Sequence, residues 1–343
     1  MANSTSTSPA RIPPWAKKVL PLLVSALILY YYFHDQDWLA LWAATRRANL
    51  WLAVAAIVLP QVCFWVLDVY LTERTMVWFH GPFPLKNYFW VRGAIYILSI
   101  VNYGLSGGGV LLYLQRRGQI SWRKLFGILL FRLGLAMWAI VLFLIPATLA
   151  MHYYGLAEKA KINLWVWWAL LIFGLGWMIE AWFVWHHHLH FGLSKIVVRD
   201  RESEFWTAFR LATRGQWLWT GFLSLAPLLF FLLGYYALTW AFDVKVPFWL
   251  FMAVSPLAML IVDLPIAFSG FGTATLAWMT FFGDYGSPED IAALSLFLPM
   301  VTALCRALIG LVSLRPALAD LATLSSPPAA AALPAPALES EKA

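Results

Sequence analysis

A chain of 343 residues that is 62% hydrophobic and only 12% charged, with a mean hydropathy of +0.72, lacks the polar residues to cover a water-facing surface. An ordinary soluble domain is excluded, and a polytopic membrane protein remains. The net charge of +7 resides in short loops between apolar runs, which suits anionic lipid headgroups and not nucleic acid.

The 21 Trp and 13 Tyr fit a protein with two membrane interfaces, where amphipathic rings settle at headgroup depth. Cys63 and Cys305 both lie inside apolar segments, so neither a disulfide framework nor a cysteine metal site is expected.

In chain order, residues 1–15 are rich in Ser, Thr and Pro and are expected to be a disordered tail. Lys17 and Lys18 precede an apolar run from Val19 to Phe33. No small-residue cleavage signal follows it, and His34-Asp35-Gln36-Asp37 comes next, so a retained first span is expected. Further full spans are expected at Leu50–Leu71, Leu125–Met151, Leu164–Trp185, Trp217–Phe242 and Ile291–Leu314, most of them close to the ~20 apolar residues of a bilayer crossing. Between them, Arg199 to Arg214 carries Phe205, Trp206, Phe209 and Leu211 at helical spacing and reads as an interfacial helix. Residues 319–343, rich in Ala and Pro, are expected to be a second disordered tail, leaving 16–318 as one membrane domain.

Two apolar regions, Tyr88–Leu114 and Pro247–Phe282, are interrupted by Gly, Ser or Pro, most visibly at Ser106-Gly107-Gly108-Gly109 and Ser269-Gly270-Phe271-Gly272. Cytoplasmic loops of membrane proteins carry an excess of Lys and Arg. If both regions enter the membrane and return, Arg46, Arg47, Lys159, Lys161 and Lys245 fall outside and the other loop cations inside. If each crosses once, the two sides become nearly equal. The charge asymmetry therefore predicts an all-α protein of six full spans and two re-entrant hairpins in mirrored contexts, an inverted repeat with both termini cytoplasmic. Broken helices that meet near the midplane are a recurrent transporter device, because unwound backbone is tolerated there only where it is buried or lines a cavity. The alternative reading of the glycines is close packing between helices.

Ionisable side chains at membrane depth cost about 2.5–3.5 kcal/mol each on insertion scales and call for a partner or a task. Asp68, Arg92, Arg132, Glu180, Asp263 and Arg306 are the candidates. Asp68 and Glu180 fall near expected span ends and read as structural. Asp263 is expected to pair with Arg132 or Arg306 while the other arginine meets an anionic ligand through its planar fork of donors; a purely structural ion pair is the alternative. The Gly breaks would add backbone amides at helix ends aimed at a phosphate. Arg92, Asn102, Ser106, Gly107, Gly108, Gly109, Arg132, Asp263, Pro265, Ser269, Gly270, Gly272 and Arg306 thus make up the candidate lipid site.

His186, His187, His188 and His190 lack carboxylate or cysteine at ligand spacing, so an interfacial role is expected and no metal. Ser106 and Ser269 have no His and Asp nearby in sequence, and there is no phosphate loop. Neither an enzyme nor a cofactor is expected.

The two interrupted regions resemble the signature regions of the lysylphosphatidylglycerol synthase transmembrane family, a flippase-like domain. The first similarity runs from Asn102 through Gly107-Gly108 and Leu111 to Arg116, Gly118-Gln119-Ile120-Ser121 and Arg132. The second runs from Leu264-Pro265-Ile266 through Ser269-Gly270-Phe271-Gly272 to Arg306. The resemblance covers roughly residues 19 to 318 and implies a stand-alone membrane domain that moves or accommodates lipids between leaflets of a bacterial inner membrane. Members often carry Glu after each Gly-rich stretch, where this chain has Val110 or Leu111 and Thr275. The soluble aminoacyl-transferase domain of some members is not found in this sequence. The partners expected are membrane lipids with anionic or lipid-linked headgroups, with a membrane-protein partner or homo-oligomer open. The rival function is a non-transporting scaffold or lipid-binding partner of an envelope-synthesis enzyme.

Overall fold

The computed structural model describes residues 30, 31, 34, 37–101, 103–153, 155, 158, 163–187, 192, 198, 200–262 and 272–325. These residues form eleven α-helices and two short 3-10 turns, with no strand among them. The helices are α1 Trp38–Arg47, α2 Leu50–Phe79, α3 Leu85–Val101, α4 Tyr103–Gly118, α5 Trp122–Tyr153, α6 Leu164–His187, α7 Thr207–Leu211, α8 Arg214–Ala241, α9 Phe248–Val262, α10 Thr273–Phe282 and α11 Pro288–Ser325. Five of them, α2, α5, α6, α8 and α11, are long and apolar enough to cross a membrane. They coincide with five of the six expected spans. Most of the sixth, Val19–Phe33, lies outside the described residues, as does the tail at 1–15.

Helix starts are written in the sequence. Asp37 caps α1 by accepting from the amides of Leu39 and Ala40, and Asn49 caps α2 through Leu52. Thr213 and Gln216 form a reciprocal capping box that starts α8. The expected interfacial helix is a 3-10 turn at Glu204–Trp206 followed by α7, which ends against that cap. Trp206 is buried in the bundle, and Leu211 is exposed.

The four helices of the interrupted regions are short. At 1.5 Å per residue the described stretches of α3 and α4 span about 25 Å, α9 about 22 Å and α10 about 15 Å. Within each region the two helices touch. Along α3 and α4, Tyr88 stacks on Tyr113 at 6.0 Å and Arg92 reaches Ser106 at 3.4 Å. A Cβ at Gly109 would meet Leu98 and Ile95 at 3.5 and 3.6 Å, so the two helices run antiparallel. Along α9 and α10, Phe251 stacks on Phe282 at 5.3 Å and meets Trp278 at 6.1 Å.

Contacts at the two ends of the bundle show where each pair opens. At one end, His80 Nε2 lies 2.6 Å from the Gly118 carbonyl oxygen, and Asp320 takes hydrogen bonds from Asn87 and Tyr113 with Arg117 at 3.7 Å. At the other, the Asn49 amide donates to Ala241 at 2.9 Å, the Lys245 amide to Tyr285 at 2.8 Å, and Arg47 pairs with Asp290 at 3.3 Å. The pair α3/α4 opens at the first end and α9/α10 at the second. Helix α3 lies antiparallel along α11, and α9 packs on α5. Helices α2 and α8 cross antiparallel between them, with Phe64 on Phe231 at 5.8 Å.

Glycine permits the closest of these approaches. A Cβ at Gly234 of α8 would stand 2.3 Å from the Ala56 carbonyl oxygen of α2, and one at Gly310 of α11 would stand 2.3 Å from Ile97 of α3. Small residues let helix backbones meet in this way.

Two expectations change. The chain does not break at Ser106–Gly109. Helix α4 runs through all four residues, from Tyr103 to Gly118. Gly in a helix costs about 1 kcal/mol relative to Ala, a cost tertiary packing overrides. Gly107 and Gly108 also face open space with nothing within 4 Å, so close packing does not account for them. At the other end of the chain, α11 continues past residue 318 to Ser325, and Asp320 is one of its buried anchors.

A candidate anion site at the centre of the bundle

Asp68 lies near the middle of α2, its side chain 3% exposed. It is held from two sides. Arg92 of α3 donates through Nε to one carboxylate oxygen at 2.5 Å, and Arg132 of α5 donates through Nη2 to the other. Arg132 also donates to the Thr72 hydroxyl and, at 3.3 Å, to the Asp68 backbone carbonyl. The Arg92 guanidinium covers the Tyr96 ring at 4.8 Å, and its Nη1 lies 3.4 Å from Ser106 Oγ. One carboxylate thereby joins a long helix, a short hairpin and a second long helix.

Beside this cluster is a cavity of about 290 Å3 lined by α2, α5, α8, α9, α10 and α11. Its polar wall comprises Gln61, Asp68, Arg132, Ser224, Thr302 and Arg306, and its apolar wall includes Phe64, Ile140, Leu228, Phe231, Met259 and Leu298. Pro227 and Pro299 also line it, each within a helix whose ladder they interrupt. Arg132 and Arg306 face this cavity, and Arg92 joins Arg132 on the carboxylate of Asp68. In a medium of low dielectric constant a guanidinium interacts strongly with an anion. A guanidinium offers a phosphate or carboxylate a pair of parallel donors.

Arg132 and Arg306 both line this cavity. Arg92 and Ser106 join it through Asp68. Gly109 packs on α3, while Gly107 and Gly108 leave one face of α4 bare. Gly272 caps α10 at φ 83°, a left-handed conformation that favours glycine. Its neighbour Ala274 lines the cavity. Asn102, Asp263, Pro265, Ser269 and Gly270 lie outside the described residues. Arg132 was expected to find Asp263 or a ligand, and its carboxylate among the described residues is Asp68. Asp68 was read as a residue near a span end because the predicted span stopped at Leu71. The helix continues to Phe79 and carries Asp68 inward.

Thr275 is fully buried in α10, where its hydroxyl accepts from Ser295 of α11 at 3.2 Å. A position where relatives were expected to hold a carboxylate thus joins two helices through a neutral hydroxyl pair.

A helical bundle with five membrane-length apolar helices, two short antiparallel helix pairs and buried charge at its centre defines a multi-pass membrane protein. Residues 18–310 match the lysylphosphatidylglycerol synthase TM region, and the chain belongs to that family. Family membership relates it to lipid handling. No curated protein matches the chain.

Proposed function

We propose that the protein translocates an anionic lipid between the leaflets of a bacterial inner membrane. The headgroup passes through the central cavity on Arg132 and Arg306, and the two short helix pairs enter the bilayer from opposite faces as re-entrant hairpins of an inverted repeat. The observation that carries this reading is the placement of Arg132 and Arg306 on one cavity at mid-bundle. Arg92 and Asp68 position Arg132, and Gly107 and Gly108 present backbone without side-chain bulk. The end of the bundle that holds Arg116, Arg117, Arg123 and Lys124 is cytoplasmic in this reading.

The test is reconstitution into liposomes with headgroup-labelled fluorescent lipids and a quencher that reaches only the outer leaflet. The wild type is expected to accelerate exchange of labelled phosphatidylglycerol. Arg132→Gln and Arg306→Gln are each expected to slow it at least tenfold at unchanged protein incorporation. No acceleration by the wild type for any anionic headgroup would refute translocation.

A further inference from the structure

Besides its arginines, the wall of the central cavity presents two polar side chains without partners. Gln61 of α2 lines the cavity and is 2% exposed, yet its side-chain amide makes no hydrogen bond to any described residue. Thr302 of α11 lines it as well, and its hydroxyl is likewise without a partner among the described residues. Hydroxyls elsewhere in the long helices behave differently. Thr72, Thr148 and Ser224 each donate to the carbonyl four residues earlier at 2.7 Å and so satisfy themselves within the helix. Buried polar groups are paired in nearly all cases, and an exception calls for a partner.

The two side chains stand on the same side of the arginines. Helices α2 and α11 both start at the end of the bundle where Arg47 pairs with Asp290. Gln61 lies two turns before Asp68 along α2, and Thr302 lies one turn before Arg306 along α11. The cavity therefore has a cationic part at Arg132 and Arg306 and, offset toward that end, a neutral hydrogen-bonding part at Gln61 and Thr302.

We infer, on the basis of the translocation proposed above, that Gln61 and Thr302 select the headgroup by its hydroxyls. The substrate is an anionic lipid whose phosphate is esterified to a polyol, with the phosphate at the arginines and a hydroxyl at the Gln61 amide and the Thr302 side chain. The amide decides the chemistry. Its carbonyl needs a donor and its NH2 group an acceptor, and a hydroxyl is both at once. A phosphate or carboxylate oxygen only accepts. An ammonium only donates, and it would stand beside two guanidinium groups of its own sign. A site whose buried polar groups pair with a substrate hydroxyl rejects the analogue that lacks it, because those groups are then left unpaired. The hydroxyl can belong to a glycerol or to a cyclic polyol, and the chemistry is common to both.

Exchange is measured in liposomes with acyl-labelled phosphatidylglycerol and acyl-labelled phosphatidylpropanol, which has the same charge and nearly the same size without hydroxyls. The wild type is expected to exchange phosphatidylglycerol at least tenfold faster. Gln61→Met, close to glutamine in volume, and Thr302→Val are each expected to slow phosphatidylglycerol at least fivefold and to leave the phosphatidylpropanol rate within twofold, so that the second lipid reports folding and insertion in the same vesicles. Acyl-labelled phosphatidylinositol assigns the hydroxyl: exchange faster than that of phosphatidylglycerol marks a cyclic polyol, and slower exchange marks a glycerol. Titration calorimetry of the full chain in maltoside micelles with the dihexanoyl forms tests selection apart from transport. Tighter binding of phosphatidylglycerol than of phosphatidylpropanol, lost in Gln61→Met, upholds selection even where the wild type exchanges neither lipid, a result that refutes translocation alone. Equal exchange and equal binding of the two lipids by the wild type, or slowing of both in the same proportion by Gln61→Met, overturns the inference and leaves translocation standing.

Discussion

Asp68 is the residue on which the central site depends. With its side chain 3% exposed it balances one of the two arginines that hold it, and without it Arg92 and Arg132 would face each other across a gap with no countercharge. Breaking a buried pair by removing one partner costs about 3–5 kcal/mol, chiefly for the charge left behind. Asp68→Asn is therefore expected to lower the midpoint of heat-induced loss of the monodisperse peak in size-exclusion chromatography by more than Ser106→Ala, which removes only a 3.4 Å contact. Equal midpoints for Asp68→Asn and the wild type would show that the cluster does not hold α3 against α2 and α5. The arginines were legible in the sequence because a guanidinium in an apolar run is costly wherever it lies. The importance of Asp68 was not, since it depends on how far α2 continues into the polar stretch Thr72–Thr75. There Thr72 and Thr75 turn their hydroxyls back to the carbonyls of Asp68 and Leu71 and so satisfy themselves within the helix.

At the scale of elements, the glycines fall into two kinds that look alike in sequence. Gly127 of α5 receives the 3-10 turn so closely that a Cβ would lie 1.7 Å from the Phe205 carbonyl oxygen, and Gly234 stands against the α2 backbone. Gly108 meets nothing within 4 Å. Gly127→Ala and Gly234→Ala are expected to destabilise by about 1–3 kcal/mol through overpacking against backbone. Gly108→Ala is expected to be neutral or to stabilise by up to about 1 kcal/mol from helix propensity. Thermal midpoints of the three variants in one detergent check this, and a loss at Gly108→Ala as large as at Gly127→Ala would place a packing partner on the bare face of α4. Hydropathy marked the five long helices because each needs only length and apolar composition. The expected break at Ser106–Gly109 is absent because three consecutive glycines weaken a helix without ending it. The docking of the 3-10 turn on α5 was not legible, since it requires Gly127 as the tertiary partner of Phe205.

Across the whole molecule, charge asymmetry is the signal on which the proposed topology rests. Arg116 and Arg117, in the last turn of α4, lie at the end where Asp320 ties α3, α4 and α11 together. A second cavity, apart from the central one, was invisible at this level, since its aromatic wall is assembled from α5, α6, α7, α8 and the 3-10 turn, and no local pattern announces such a convergence. The proposed hairpin arrangement has a direct consequence for side-specific labelling. In a background of Cys63→Ser and Cys305→Ala, single cysteines are placed at Pro82 and Gln119, flanking the first pair, and at Lys245 and Asp284, flanking the second, all four being exposed. A membrane-impermeant maleimide applied to intact spheroplasts is expected to label Lys245→Cys and Asp284→Cys, and applied to inside-out vesicles to label Pro82→Cys and Gln119→Cys. A single crossing by α3 and α4 would separate Pro82 from Gln119, and a single crossing by α9 and α10 would separate Lys245 from Asp284. Opposite-side labelling within either pair would therefore dismantle the re-entrant arrangement, and with it the route by which a headgroup at Arg132 and Arg306 could be exposed to each leaflet in turn.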